Sequence, residues 1–106
     1  MNLEQFISIT YDKNNEYNTR NRIVCKDGFS FSVQGSKGHY CSPRENVKKY
    51  SLLEIGFPSR KEPLIISYAE IPEMPTETVY GYVPVSIIQE VIDNHKGIDI
   101  NKTFKL

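Results

Sequence analysis

Among its 106 residues the chain has no tryptophan, two cysteines (Cys25 and Cys41) and two histidines (His39 and His95). No CxxC or HxxxH spacing joins these thiols and imidazoles, so the sequence holds no local zinc motif, and neither a metal nor another cofactor is expected. No apolar run approaches the roughly 18 residues that a spanning helix needs. Met1 to Tyr11 also lacks the basic start and apolar stretch of a secretory signal. The expectation is therefore a cytoplasmic protein with two free thiols. An excess of one charge is missing too. Thirteen basic residues balance thirteen acidic ones, so net charge recruits neither a nucleic acid nor an anionic membrane, and a carboxylate-coated imitation of DNA is disfavoured. Glu4, Glu54 and Glu90 form no pair of the kind that carboxylate acid–base catalysis requires.

What is present suits one domain with a modest core. The most legible stretch is Thr78 to Gly97. Val79, Gly81 and Val83 alternate with Tyr80 and Tyr82, which predicts a strand with both tyrosines on one face. Val85, Ile88, Val91 and Ile92 then recur at helical spacing opposite Ser86, Gln89, Glu90, Asp93 and Asn94. Pro84 suits the first helical turn and Gly97 the left-handed stop. Upstream, alternation over Phe6 to Tyr11 predicts a half-buried strand, and the polar run 12–21 predicts an exposed loop. Asp27-Gly28 predicts a two-residue hairpin turn with Val24 opposite Phe31, so that Val24, Phe29, Phe31 and Val33 share an apolar face and Cys25 lies on the other. Lys49 to Phe57 predicts a strand burying Leu53, Ile55 and Phe57 on the face of Ser51. Residues 64–71 fit a strand or one helical turn. Glu70 to Thr76, with two prolines, fits an extended connector. Residues 99–106 fit an edge strand or a frayed end. The class these elements define is α+β: a small antiparallel sheet of four to six short strands packed against one C-terminal amphipathic helix.

Most of the reactive groups fall in the turn-rich segment Gly35 to Asn46. His39, Tyr40, Cys41 and Arg44 stand within six residues of one another, in what reads as a functional loop outside the core. A Cys41 nucleophile would need His39, or a distant His95, as base, plus a third group to orient it. His39 and Cys41 point oppositely in extended chain, and the Cys41–Arg44 spacing is not that of a phosphatase loop. Packing of Cys41 under the loop is the plainer reading. His95 fits the last helical turn, where a protonated imidazole meets the negative end of the dipole. Tyr80 and Tyr82 suit either cross-strand packing or a contact surface of broad area and polar tips.

The strings VCKDGFSFSVQ, HYCSPRE, LEIGFPS and ETVYGYVPVSIIQEVIDNHKGI, which fall within residues 22 to 98, resemble a group of small uncharacterised accessory proteins of phages and prophages of low-GC Gram-positive bacteria. The resemblance implies expression in a host bacterial cytoplasm, and a role in occupying a host factor or signalling molecule, including to counter host defence. Combined with the residues, it places first a non-enzymatic binding protein. His39, Tyr40, Arg44, Tyr80 and Tyr82 would meet a host protein or a small anionic ligand. Second is a small hydrolase or transferase built on Cys41 with His39 or His95. Self-association is left open.

Overall fold

The computed structural model describes residues 1–106. It is an α+β fold: a four-stranded antiparallel sheet in the order β1-β2-β3-β4, with β1 Ile23–Val24, β2 Ser30–Gln34, β3 Leu52–Gly56 and β4 Val79–Pro84. Three helices surround it, α1 Leu3–Ile9, α2 Val85–Asn94 and α3 Ile100–Phe104, where the sequence predicts one. No helix is long and apolar enough to cross a membrane.

In place of the strand expected over Phe6 to Tyr11, the chain runs helical through Ile9 in α1, with Thr10 as its C-cap. Asn2 and Gln5 form a capping box: Asn2 Oδ1 accepts from the Gln5 N–H at 2.8 Å and Gln5 Oε1 accepts from the Asn2 N–H at 2.9 Å. With the start fixed there, Leu3, Phe6 and Ile7 make a buried helical stripe and Ile9 faces water. Six residues of alternation beginning at Phe6 conceal this stripe, because its first member, Leu3, lies outside them.

The β1–β2 hairpin also departs from the two-residue turn. The Gly28 N–H donates to the Cys25 carbonyl and the Cys25 N–H to the Phe29 carbonyl, with Gly28 at φ +95°, so three residues connect the strands through a bulge. The register moves by one: Ile23, not Val24, faces Phe31. Ile23 and Cys25 consequently join Phe29, Phe31 and Val33 in the core. Cys25 is a free thiol pushed up to about 12 by burial and by Asp27.

Residues 99–106 form neither a strand nor a frayed end. Asp99 caps α3 by accepting from the Lys102 N–H. Thr103 Oγ1 accepts from the Val24 N–H at 2.9 Å, and the Asp99 N–H donates to the Val24 carbonyl at 2.8 Å. The free edge of β1 is thus covered by side chain and turn. Residues 64–71 contain a 3-10 turn at Ile66–Tyr68. The stretch after it folds into successive turns, closed by Met74 N–H to Ile71 and Glu77 N–H to Met74, instead of extending. Phe57, expected in the core, has φ +49° and is half exposed.

α2 buries Ile88, Val91 and Ile92 as the stripe predicts, with Val85 half-buried, and packs on α1 and β4. It ends when the Gly97 N–H reaches the Ile92 carbonyl and the Lys96 N–H reaches Asp93, the double bond of a Schellman stop. The left-handed residue that follows the cap is therefore Lys96, at φ +76°, ahead of Gly97 at +90°. A Cβ is strained there, so Lys96→Gly is expected to stabilise the fold by about 0.5–1 kcal/mol. A higher urea midpoint at unchanged m-value checks this.

Candidate functional site

Leu53 pairs with Val83 and Ile55 with Tyr80, which leaves Glu54 of β3 facing two residues of β4, Gly81 and Tyr82. Two against one is a β-bulge, and it breaks the alternation of the strand. Tyr80 and Val83 both enter the core with no exposed surface, while Tyr82, at φ +55°, turns outward and is 46% exposed. The expectation that Tyr80 and Tyr82 share a face is therefore corrected. The Tyr80 hydroxyl donates to the Pro75 carbonyl, and burial pushes its phenol up. Tyr80 takes no part in a contact surface. The sequence does carry a sign of this, since a glycine inside a strand pattern marks a bulge.

The bulge is also what gathers the other candidates. The Tyr82 N–H donates to the Tyr40 carbonyl at 3.0 Å, and the Tyr40 N–H donates to Glu54 Oε1 at 3.0 Å. The two rings lie 5.9 Å apart at a 39° tilt, and the Arg44 guanidinium sits 5.4 Å from the Tyr40 ring centroid. Arginine over an aromatic face is held by the ring quadrupole, which keeps a long cationic side chain in one place. Gly81 permits the approach: a Cβ there would lie 3.3 Å from Tyr40 Cβ. Tyr40 and Tyr82, with Tyr68, Glu70, Val79 and Gly81, line a shallow depression of about 300 Å³. Tyr68 and Glu70 carry no local motif, so sequence reasoning passes over them, and Glu54 enters it only as an unpaired carboxylate.

His39 and Cys41 are placed apart in function. Ser36 Oγ accepts from the Gly38 N–H at 3.0 Å and lies 2.6 Å from His39 Nδ1. The hydroxyl thus bridges the loop backbone and the imidazole, which holds the His39 ring in place. Burial pushes its pKa down. Cys41 is 1% exposed, so the segment is not wholly outside the core as expected. Its Sγ donates to the Ser36 carbonyl at 3.1 Å, and desolvation pushes the thiol up. A nucleophilic thiol needs the opposite environment. His95 is committed elsewhere, with Nδ1 2.7 Å from Asp27 Oδ2 and Nε2 2.9 Å from Glu62 Oε1. No group of three or more His, Cys, Asp or Glu side chains converges to hold a metal ion.

Fold and site together define a small α+β domain with an exposed aromatic and arginine patch beside a β-bulge. No protein-family model matches the chain, and no curated protein and no solved structure matches it.

Proposed function

We propose that this chain is a non-enzymatic binding protein of phage type that acts in the host bacterial cytoplasm and occupies a host protein, countering host defence, through Tyr82, Tyr40 and Arg44. The observation that carries the reading is Tyr82: an aromatic residue held at positive φ and half exposed, as Phe57 also is, but set beside the exposed Tyr40 ring and the Arg44 guanidinium. Backbone strain of this kind costs roughly 1–3 kcal/mol and persists where the surroundings enforce it, often for a function. Tyrosine and arginine are the residues that dominate binding energy at protein interfaces. A protein partner is favoured over a small anion because Glu70 lies on the wall of the depression and Glu54 beside Tyr40, which offset the charge of Arg44. The sealed Cys41 thiol weighs against the hydrolase or transferase reading.

Tyr82→Gly tests this directly, because it removes the ring and relieves the backbone at once. Thermal stability is expected to hold or rise, while affinity for the host protein captured by the wild type falls by about 30-fold or more. Arg44→Ala is expected to weaken the same complex. Equal capture by wild type, Tyr82→Gly and Tyr40→Ala would remove the proposal.

A further inference from the structure

A second concavity, of about 460 Å³, shares no lining residue with the Tyr40/Tyr82 depression. It opens where α1, α2 and the segment before β3 meet. Its floor is apolar: Leu3 and Ile7 from α1, Tyr50 and Leu53 from the sheet side, and Val85 from α2. Leu3, Ile7 and Leu53 are each 3% exposed or less, so this floor is fixed by the core and already formed. The volume lies in the range of small-molecule sites, which are concave, mostly apolar and pre-formed, with few polar groups at the edge.

The edge carries an imbalance of charge. Lys48 and Lys49 line it, and Glu4 is the one acidic residue that does. Lys49 Nζ lies 3.6 Å from Glu4 Oε1 with both side chains largely exposed, a pairing worth little in water. Lys48 Nζ rests 5.6 Å from the Tyr11 ring centroid and has no carboxylate partner. Ser86, in the first turn of α2, lines the same edge, and Pro84 provides no side-chain cap for that turn. An apolar floor under one surplus positive charge complements a ligand with an apolar body and a single negative end.

We propose that this groove binds a small amphipathic monoanion, an apolar chain ending in one carboxylate, with the chain on Leu3, Ile7, Leu53 and Val85 and the carboxylate at Lys48 and Lys49. The test is titration of the full chain with decanoate and, separately, with neutral decanamide, followed by amide ¹⁵N–¹H chemical shifts. Decanoate is expected to give saturable shifts confined to residues 2–7, 48–53 and 85–89, and decanamide to bind about fivefold more weakly. Glu4→Gln frees Lys49 and is expected to tighten decanoate by about twofold. Val85→Trp fills the floor and is expected to abolish binding. Ser86→Trp at the exposed edge obstructs the groove without touching the core, and so carries the same test if the first variant fails to fold. Tyr82→Gly is expected to bind decanoate as the wild type does, which separates this site from the protein-binding patch. The proposal is overturned by shifts that do not saturate, by shifts centred outside the groove, or by equal affinity for acid and amide. It is also overturned by unchanged binding in a folded Trp variant. Concentration-dependent shifts of the same amides without ligand would assign the groove to a second copy of the chain instead.

Discussion

Arg20→Ala is expected to destabilise the protein by about 3 kcal/mol or more, since it strips charged donors from several buried acceptors at once. Arg20 is 5% exposed although it lies in the polar run 12–21, which the sequence predicts to be an exposed loop. Its Nε donates to Thr10 Oγ1 at 2.9 Å. Its two terminal nitrogens donate to the carbonyls of Gly35 at 2.8 Å, Asn18 at 3.2 Å and Ile7 at 3.4 Å. The backbone N–H of Arg20 is itself held by Gln34 Oε1 at 2.9 Å. Burial lowers the pKa of the guanidinium, while Tyr50 and Cys41 oppose that shift. One planar fork therefore ties the end of α1, the loop 12–21 and the start of the segment leading to Tyr40. Each carbonyl left without a donor in the interior costs about 1–3 kcal/mol. Thermal unfolding should show a midpoint lower by about 12–24 °C, using the usual 4–8 °C per kcal/mol for a domain of this size. Arg20→Lys keeps the charge but not the fork, and is expected to restore less than half of the loss. A variant as stable as the wild type would mean that water replaces the fork without penalty, and that the loop does not depend on it.

The second large effect is expected at His95. Its ring stacks on Phe29 with centroids 4.1 Å apart and planes 10° apart, while its two nitrogens face Asp27 and Glu62. Arg60 joins the same cluster, with Nη2 3.2 Å from Asp27 Oδ2 and 3.4 Å from His95 Nδ1. Glu62 is 7% exposed and keeps just the Leu64 N–H, at 3.0 Å to Oε2, once the imidazole is gone. His95→Ala is therefore expected to destabilise by about 2–3 kcal/mol, most of it from a buried carboxylate left without its imidazole partner and the rest from the lost stacking on Phe29. Glu62→Gln in the His95→Ala background should recover part of the loss, a coupling that a double-mutant cycle measures. Additive effects of the two substitutions would show that the pair does not interact.

The same cluster sets an acid limit. The Phe29 backbone N–H, and after it His95, hold the Asp27 carboxyl below its ordinary value of 3.8. A carboxyl whose folded pKa is depressed contributes stability that is present above 3.8 and is lost as pH falls through the folded value. Stability followed by urea unfolding should therefore drop more steeply below pH 3.8 in the wild type than in Asp27→Asn. Identical acid limbs would count against Asp27 as the source.

The amino-acid sequence by itself determined the α2 stripe, because Ile88, Val91 and Ile92 repeat at helical spacing between Pro84 and Gly97, and each position carries the same message. It also determined the antiparallel arrangement, because Asp27-Gly28 forces a reversal and the flanking runs alternate. Local signals misled where they were short. Six alternating residues outweighed the capping box at Asn2, and a two-residue turn and a three-residue turn differ by one position that no propensity distinguishes. The tertiary structure alone decided the rest. Arg20 is interior because Ile7, Gly35 and Asn18, scattered along the chain, offer it carbonyls in one place. Tyr80 is interior and Tyr82 exterior because one extra residue in β4 inverts the faces; Tyr40 joins Tyr82 through a backbone bond across the bulge, and Arg44 joins them by resting over the Tyr40 ring. Burial and partnership depend on which distant groups converge, and convergence is a property of the packed chain, not of any window along it.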